Sequence, residues 1–94
     1  MPAYVYILTN QRNGTLYIGC TTNLARRITE HKNEQAESFT KKYGLKLLVD
    51  VEEYDILEEA LIRERALKKW KREWKLRIIE KQNPEWNDLS SEIA

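Results

Sequence analysis

The dipeptide Asn13-Gly14 stands between two short runs, Tyr4–Thr9 and Leu16–Cys20, rich in β-branched, aromatic and aliphatic residues. Asn-Gly is the pair best able to take the positive φ angles of a tight hairpin turn, and both flanking runs favour extended backbone. The chain is therefore committed from its start to an antiparallel hairpin. Gly19 falls near the end of the second run, where a missing side chain signals close approach of backbone or ligand. The hairpin presents Tyr4, Tyr6 and Tyr17, and phenols are not ordinary core fillers.

Beyond the hairpin, Thr21-Thr22-Asn23 supplies N-cap candidates for a helix over Leu24–His31. Leu24 and Ile28 lie one turn apart and mark its buried side, while Arg27 and His31 form a second i, i+4 pair on an adjacent face. A polar loop rich in Asn, Gln and Glu follows. Ser38–Tyr43 reads as a short helix ended by Gly44, and Leu45–Tyr54 as a third strand. Asp55 is placed to cap the longest helical stretch, whose apolar stripe runs through Ile56, Ala60, Leu67 and Trp70. Trp74, Ile78 and Ile79 extend it as a further helix or a bent continuation, and Pro84 bars helix beyond Asn83. The order predicts an α+β fold: a three-stranded antiparallel β-sheet with flanking helices.

At 94 residues the chain is expected to be one domain, residues 1–94, with 88–94 as a frayed tail. Charged residues make up 33% of it, and no apolar run approaches the roughly 20 residues that span a bilayer. Met1-Pro2-Ala3 leads straight into a strand, without the charged-then-apolar order of a signal peptide. The single cysteine, Cys20, forms no internal disulfide, so a reducing cytoplasm is the expected compartment. There is no cysteine–histidine cluster with zinc spacing. The formal net charge of +1 conceals a strong segregation. Asp50–Glu59 holds six acidic and no basic residues, whereas Leu61–Lys81 holds nine Lys/Arg against three Glu. A basic element of that density suits a phosphate backbone, with Lys68, Lys69, Lys71, Arg72 and Lys75 as the candidate contacts.

Taken together, Tyr4-Val5-Tyr6, Tyr17-Ile18-Gly19, the Arg27/His31 helix, Glu64 in Ile62-Arg63-Glu64-Arg65, and Asn83-Pro84-Glu85-Trp86 resemble the GIY-YIG nuclease superfamily. Within it the chain is similar to the small single-domain bacterial branch. The second motif is intact, the first lacks its name-giving glycine, and the likeness covers nearly the whole chain. The resemblance implies phosphodiester hydrolysis by a water nucleophile with one divalent cation, Mg²⁺ or Mn²⁺, held by Glu64. One carboxylate suffices for a hard ion that keeps several waters and borrows phosphate oxygens. It implies that Tyr6 and Tyr17 activate or orient the water, although a phenol of reference pKa about 10 needs a nearby cation such as Arg27 to act as a base. Arg27 would also grip the phosphate, His31 would hydrogen-bond a tyrosine or the phosphate, and Gly19 and Asn83 would serve backbone contacts. The implied partner is DNA in a repair setting, with branched or damaged forms and RNA left open, and with a protein partner supplying specificity.

Each residue taken alone has a plainer explanation. Tyr6 and Tyr17 could be cross-strand aromatic partners, Arg27 and His31 a solvated helix face, and Glu64 a surface glutamate among arginines. Trp70 and Trp74, spaced i, i+4, are expected to pack rather than to stack on bases. Cys20 reads as a small buried apolar residue. Two rivals to an endonuclease therefore stay open: a nucleic-acid-binding module of the same fold with little or no cleavage, and a scaffold whose tyrosines only pack.

Overall fold

The computed structural model describes residues 1–33 and 38–93, with the side chains of 38–40 left aside. The expected polar loop falls largely at 34–37, outside the described residues. The elements are β1 (Ala3–Thr9), β2 (Leu16–Thr21), α1 (Leu24–Lys32), α2 (Ser38–Tyr43), β3 (Leu47–Tyr54), α3 (Leu57–Lys69), α4 (Arg72–Gln82) and a closing 3₁₀ helix (Leu89–Glu92). The sheet is three-stranded and antiparallel in the order β2-β1-β3, with helices on both sides, as expected from the sequence.

Alternation along the central strand divides the interior in two. Ala3, Val5 and Ile7 face one side, where Ile18, Val49, Ala60, Leu67, Ile79 and Trp86 complete a core under α3 and α4. Tyr6 and Leu8 face the other, with Leu24 and Ile28 of α1 and with Leu45 and Leu48. A bulge in β3, between the partners of Ile7 and Leu8, inserts Val49 and sets Asp50 opposite Ile7. Asp50 is only 3% exposed.

The hairpin turn forms at Asn13, whose φ is 59°. Asn23 caps α1, its Oδ1 accepting from the Arg26 amide at 3.1 Å. Asp55 does not cap α3: the cap position is Ile56, with no side-chain hydrogen bond, and Glu58 and Glu59 in the first turn supply the favourable negative charge instead. Ile56, set in the buried stripe by sequence, is 49% exposed. The junction of α3 and α4 is a true break, because Trp70 and Lys71 are both extended, with ψ of 150° and 147°.

Residues 88–93, expected to fray, are docked instead. Asp88 accepts from the Leu48 amide at 3.1 Å and from Lys32 Nζ at 2.7 Å, while Leu89 and Ile93 pack against the α1-side core. A short acidic cap with charge-assisted hydrogen bonds outweighs the loss of tail entropy that the sequence alone suggests.

Candidate active site

Strand register puts the first two site residues together. Tyr6 pairs with Gly19 and Leu8 with Tyr17, so Tyr6 and Tyr17 are diagonal neighbours on the α1 face, with ring centroids 6.4 Å apart. Gly19 lies directly under the Tyr6 ring. A Cβ there would collide with Tyr6 Cζ and Oη and press on Tyr17 Cε2 at 3.0 Å. The glycine is needed for space rather than for backbone freedom.

Helix α1 brings in the other two, one turn apart. His31 is buried at 4% exposure, and its ring sits 5.9 Å from that of Tyr6 and 5.8 Å from that of Tyr17. His31 Nε2 lies 3.3 Å from the Tyr6 hydroxyl, and Arg27 donates to the same hydroxyl from 3.4 Å. Burial works against the Arg27 charge, but the Tyr6 hydroxyl, Glu30 and Tyr17 outweigh it and raise its pKa further. Tyr6 itself is wholly enclosed, whereas Tyr17 is half-buried. Of the two phenols, only Tyr17 reaches solvent.

Beside Arg27 a polar cleft of about 220 Å³ is lined by Thr21, Thr22, Asn23, Arg26, Arg27 and Glu30. Glu30 holds both arginines, at 3.5 Å from Arg26 and 3.4 Å from Arg27. Sequence reasoning missed Arg26. The signal that could have found it is a pair of adjacent arginines in the first turn after a cap.

Glu64 arrives from elsewhere. It belongs to α3, which packs on the sheet face opposite to Tyr6, in the helical row of the buried Ala60 and Leu67. That row runs towards β2, an edge strand. The Cys20 thiol on β2 feels both charges: burial raises its pKa, Glu64 raises it further and Arg27 lowers it. Glu64 and Arg27, on helices packed against opposite faces of the sheet, are thus both within electrostatic reach of Cys20. Cys20 is half-buried rather than a core residue. The Glu64 side chain is 17% exposed, and its carboxylate has Lys68 Nζ at 3.5 Å.

Asn83 lies apart from these groups. It is 5% exposed, and its side-chain amide donates to the carbonyls of Val49 at 3.2 Å and Asn87 at 2.8 Å, while its Oδ1 accepts from the Asn87 amide. It ties the end of α4 to β3. The basic residues do not form one uniform strip. Lys68 is paired with Glu64, and Arg72 donates to the carbonyls of Asn13 and Gly14, both at 2.7 Å, clamping the hairpin turn. Lys69 and Lys71 are exposed, and Lys75 is half-buried. A contact across 58 residues, such as that of Arg72 with Gly14, leaves no local trace in the sequence.

Among the described residues no group of three or more His, Cys, Asp or Glu side chains is arranged to hold a metal, and no helix is long and apolar enough to cross a membrane.

Comparison with known proteins agrees with the geometry. Residues 2–77 match the GIY-YIG catalytic domain, a span that includes Tyr6, Tyr17, Arg27, His31 and Glu64 and stops short of Asn83. A UPF0213 protein of Syntrophus aciditrophicus is 42% identical over 83 residues, covering 87% of this chain and 93% of its own. One from Clostridium perfringens is 36% identical over 90 residues, covering 96% of each. The solution NMR structure of a UPF0213 protein from Bacillus halodurans superposes with a TM-score of 0.59 at 30% identity, over 94% of this chain and 93% of that one. The chain belongs to the GIY-YIG catalytic domain family and, within it, to the UPF0213 proteins.

Proposed function

We propose that this chain is a divalent-metal-dependent endonuclease that hydrolyses phosphodiester bonds of DNA in the cytoplasm, in the service of repair. What supports this most is the cluster in which the Tyr6 hydroxyl meets both His31 and Arg27 beside a polar cleft, with Glu64 on α3 within electrostatic reach of Cys20, as Arg27 is.

The donor set fits a hard cation of the Mg²⁺ or Mn²⁺ kind in a limited sense. Glu64 supplies one partly exposed carboxylate, and the remaining positions fall to water and to phosphate oxygens, the usual habit of Mg²⁺. Once bound, such an ion would offset negative charge on the phosphoryl group and the leaving oxygen. Arg27, facing the polar cleft, would bind a non-bridging phosphate oxygen and position the phosphorus. Tyr17, the phenol that reaches solvent, would orient the attacking water. The water oxygen would bond to phosphorus as the P–O bond to the leaving sugar oxygen breaks. Tyr6 plays a supporting part, because its hydroxyl, enclosed beneath the site, fixes His31 and Arg27. The proton of the attacking water would pass to the solvent that Tyr17 faces, while His31, packed against the Tyr17 ring, would hold that phenol in place. Lys69, Lys71 and Lys75 would meet the phosphate backbone.

The test is nicking of supercoiled, branched and single-stranded DNA, and of RNA, with Mg²⁺ or Mn²⁺. Cleavage by the native chain and its loss in folded Glu64→Ala and Arg27→Ala are expected. Cleavage that survives Glu64→Ala, or none from the native chain on any substrate, overturns the assignment.

One observation favours a second reading, a binding module with little cleavage: Lys68 already neutralises Glu64. Steeply salt-dependent binding without cleavage at any metal concentration would select it.

A further inference from the structure

Trp74, Arg77, Ile78 and Lys81 lie at i, i+3, i+4 and i+7 on α4, one face of the helix. With Trp70 they line an open groove of about 340 Å³, within the roughly 300–1,000 Å³ typical of small-molecule clefts. A helix face built for packing would be apolar throughout, yet two of its four positions are cations. Trp74 is not absorbed into the core either: it is 43% exposed. Trp70 meets it edge-on, centroids 5.9 Å apart, so the two indoles form a corner rather than a closed stack.

We propose that this groove holds an unpaired base of a single-stranded nucleic acid, stacked on Trp74, with Arg77 and Lys81 meeting the flanking phosphates. Charge complementarity selects this occupant. Lys68–Lys81 contains seven cations and two glutamates. Lys68 is held by Glu64, Arg72 by the hairpin carbonyls, and Lys71 Nζ lies 5.8 Å from the Trp74 ring centroid, but Lys69, Lys75, Arg77 and Lys81 make no ion pair among the described residues. An acidic peptide would use those charges and leave the indole idle. A nucleobase uses both, since stacking on an aromatic side chain beside cations is how strands are bound without regard to sequence.

The groove is coupled to the rest of the molecule. The Arg63 guanidinium lies 4.9 Å over the Trp70 ring, and Arg63 immediately precedes Glu64 on α3. A strand gripped at Trp74 is thereby tethered to the helix that bears the candidate metal ligand. The proposal deepens the nuclease reading, resting on it for the class of ligand, and specifies unpaired strand as what the enzyme selects.

The experiment is a fluorescence titration of the full chain with a deoxythymidine oligomer of about 12 nucleotides, in EDTA, so that cleavage plays no part. Quenching of the tryptophan emission is expected, with affinity about tenfold or more weaker in Trp74→Ala and largely retained in Trp74→Phe. Arg77→Gln with Lys81→Gln should lower the salt slope by roughly 1 to 2. Circular dichroism checks that each variant is folded. Equal affinity of Trp74→Ala and the native chain overturns the proposal, as does displacement of the oligomer by polyglutamate at matched charge. A chain that binds through Trp74 yet never nicks upholds this site while defeating the nuclease. A chain that nicks but binds equally without Trp74 does the reverse.

Discussion

On the α1 side of the sheet the enclosed Tyr6 hydroxyl is met by His31 at 3.3 Å and Arg27 at 3.4 Å, so buried polar atoms there answer one another. On the α3 side, burial and the neighbouring Glu52 raise the Asp50 carboxyl to about 7 against the pull of Arg63, and the Trp86 Nε1 has no hydrogen-bond partner among the described residues. Yet that side is not without order. Glu52 receives both arms of Arg63, at 2.9 and 3.1 Å, and the Tyr54 hydroxyl at 2.8 Å. The contrast separates two uses of polar residues in a small core. Compensated burial fixes the geometry of the side chains that form the proposed site. Uncompensated burial adds nothing to shape and makes stability depend on protonation.

The largest effect should come from the compensated side. Arg27→Ala removes the donor to Tyr6 and the proposed phosphate contact at once, and cleavage should fall by a factor of about 100 to 1,000 while the melting temperature barely moves. An unchanged rate would place the phosphate elsewhere. Next comes Gly19→Ala, which drives a methyl group into the Tyr6 ring. A loss of about 3 kcal/mol in urea unfolding is expected, because overpacking against an enclosed aromatic cannot relax cheaply.

The uncompensated side gives the third test. The folded Asp50 carboxyl titrates well above its unfolded range, so the native state binds the extra proton. Stability should then decline as pH rises from about 4 to about 7, by a few kcal/mol, and stay low above that. Asp50→Asn should flatten that decline, which denaturant titrations at several pH values would show. The smallest effect belongs to the tail clasp. Burial works against the Asp88 charge, but Lys32, Ser90 and the Leu48 amide hold the carboxyl down at about 2. Its contribution is present above about 4 and lost as pH falls towards 2. Asp88→Ala should cost about 1.5 kcal/mol at neutral pH and nothing in strong acid, as urea unfolding at the two pH values would show.

Much of the α1 side could be read from sequence because its determinants are local. Asn13-Gly14 fixes the hairpin, strand alternation puts Tyr6 and Tyr17 on one face, and Asn23 starts the helix that delivers Arg27 and His31. The α3 side was less legible. Glu64 falls in the row of Ala60 and Leu67, but only the folded sheet shows that this row ends at an open strand edge. Asp50 lies inside an apolar run, and its burial follows from the β3 bulge that places it opposite Ile7. The Asp88 clasp and the Arg72 clamp join residues 40 or more positions apart, a separation at which no periodicity survives. Trp70 and Trp74 do pack on each other, as their spacing suggests, but the break at Trp70–Lys71 puts Trp70 at the end of α3 and Trp74 on α4, and leaves Trp74 43% exposed.

The Arg72 clamp has a consequence for how the molecule comes apart in acid. A guanidinium stays charged throughout the range that a protein survives, and backbone carbonyls do not titrate. The β1–β2 turn is consequently held with equal firmness in acid and in neutral solution. The C-terminal strap is latched by a carboxylate instead, so as pH falls towards 2 it would come away while the turn is still fastened.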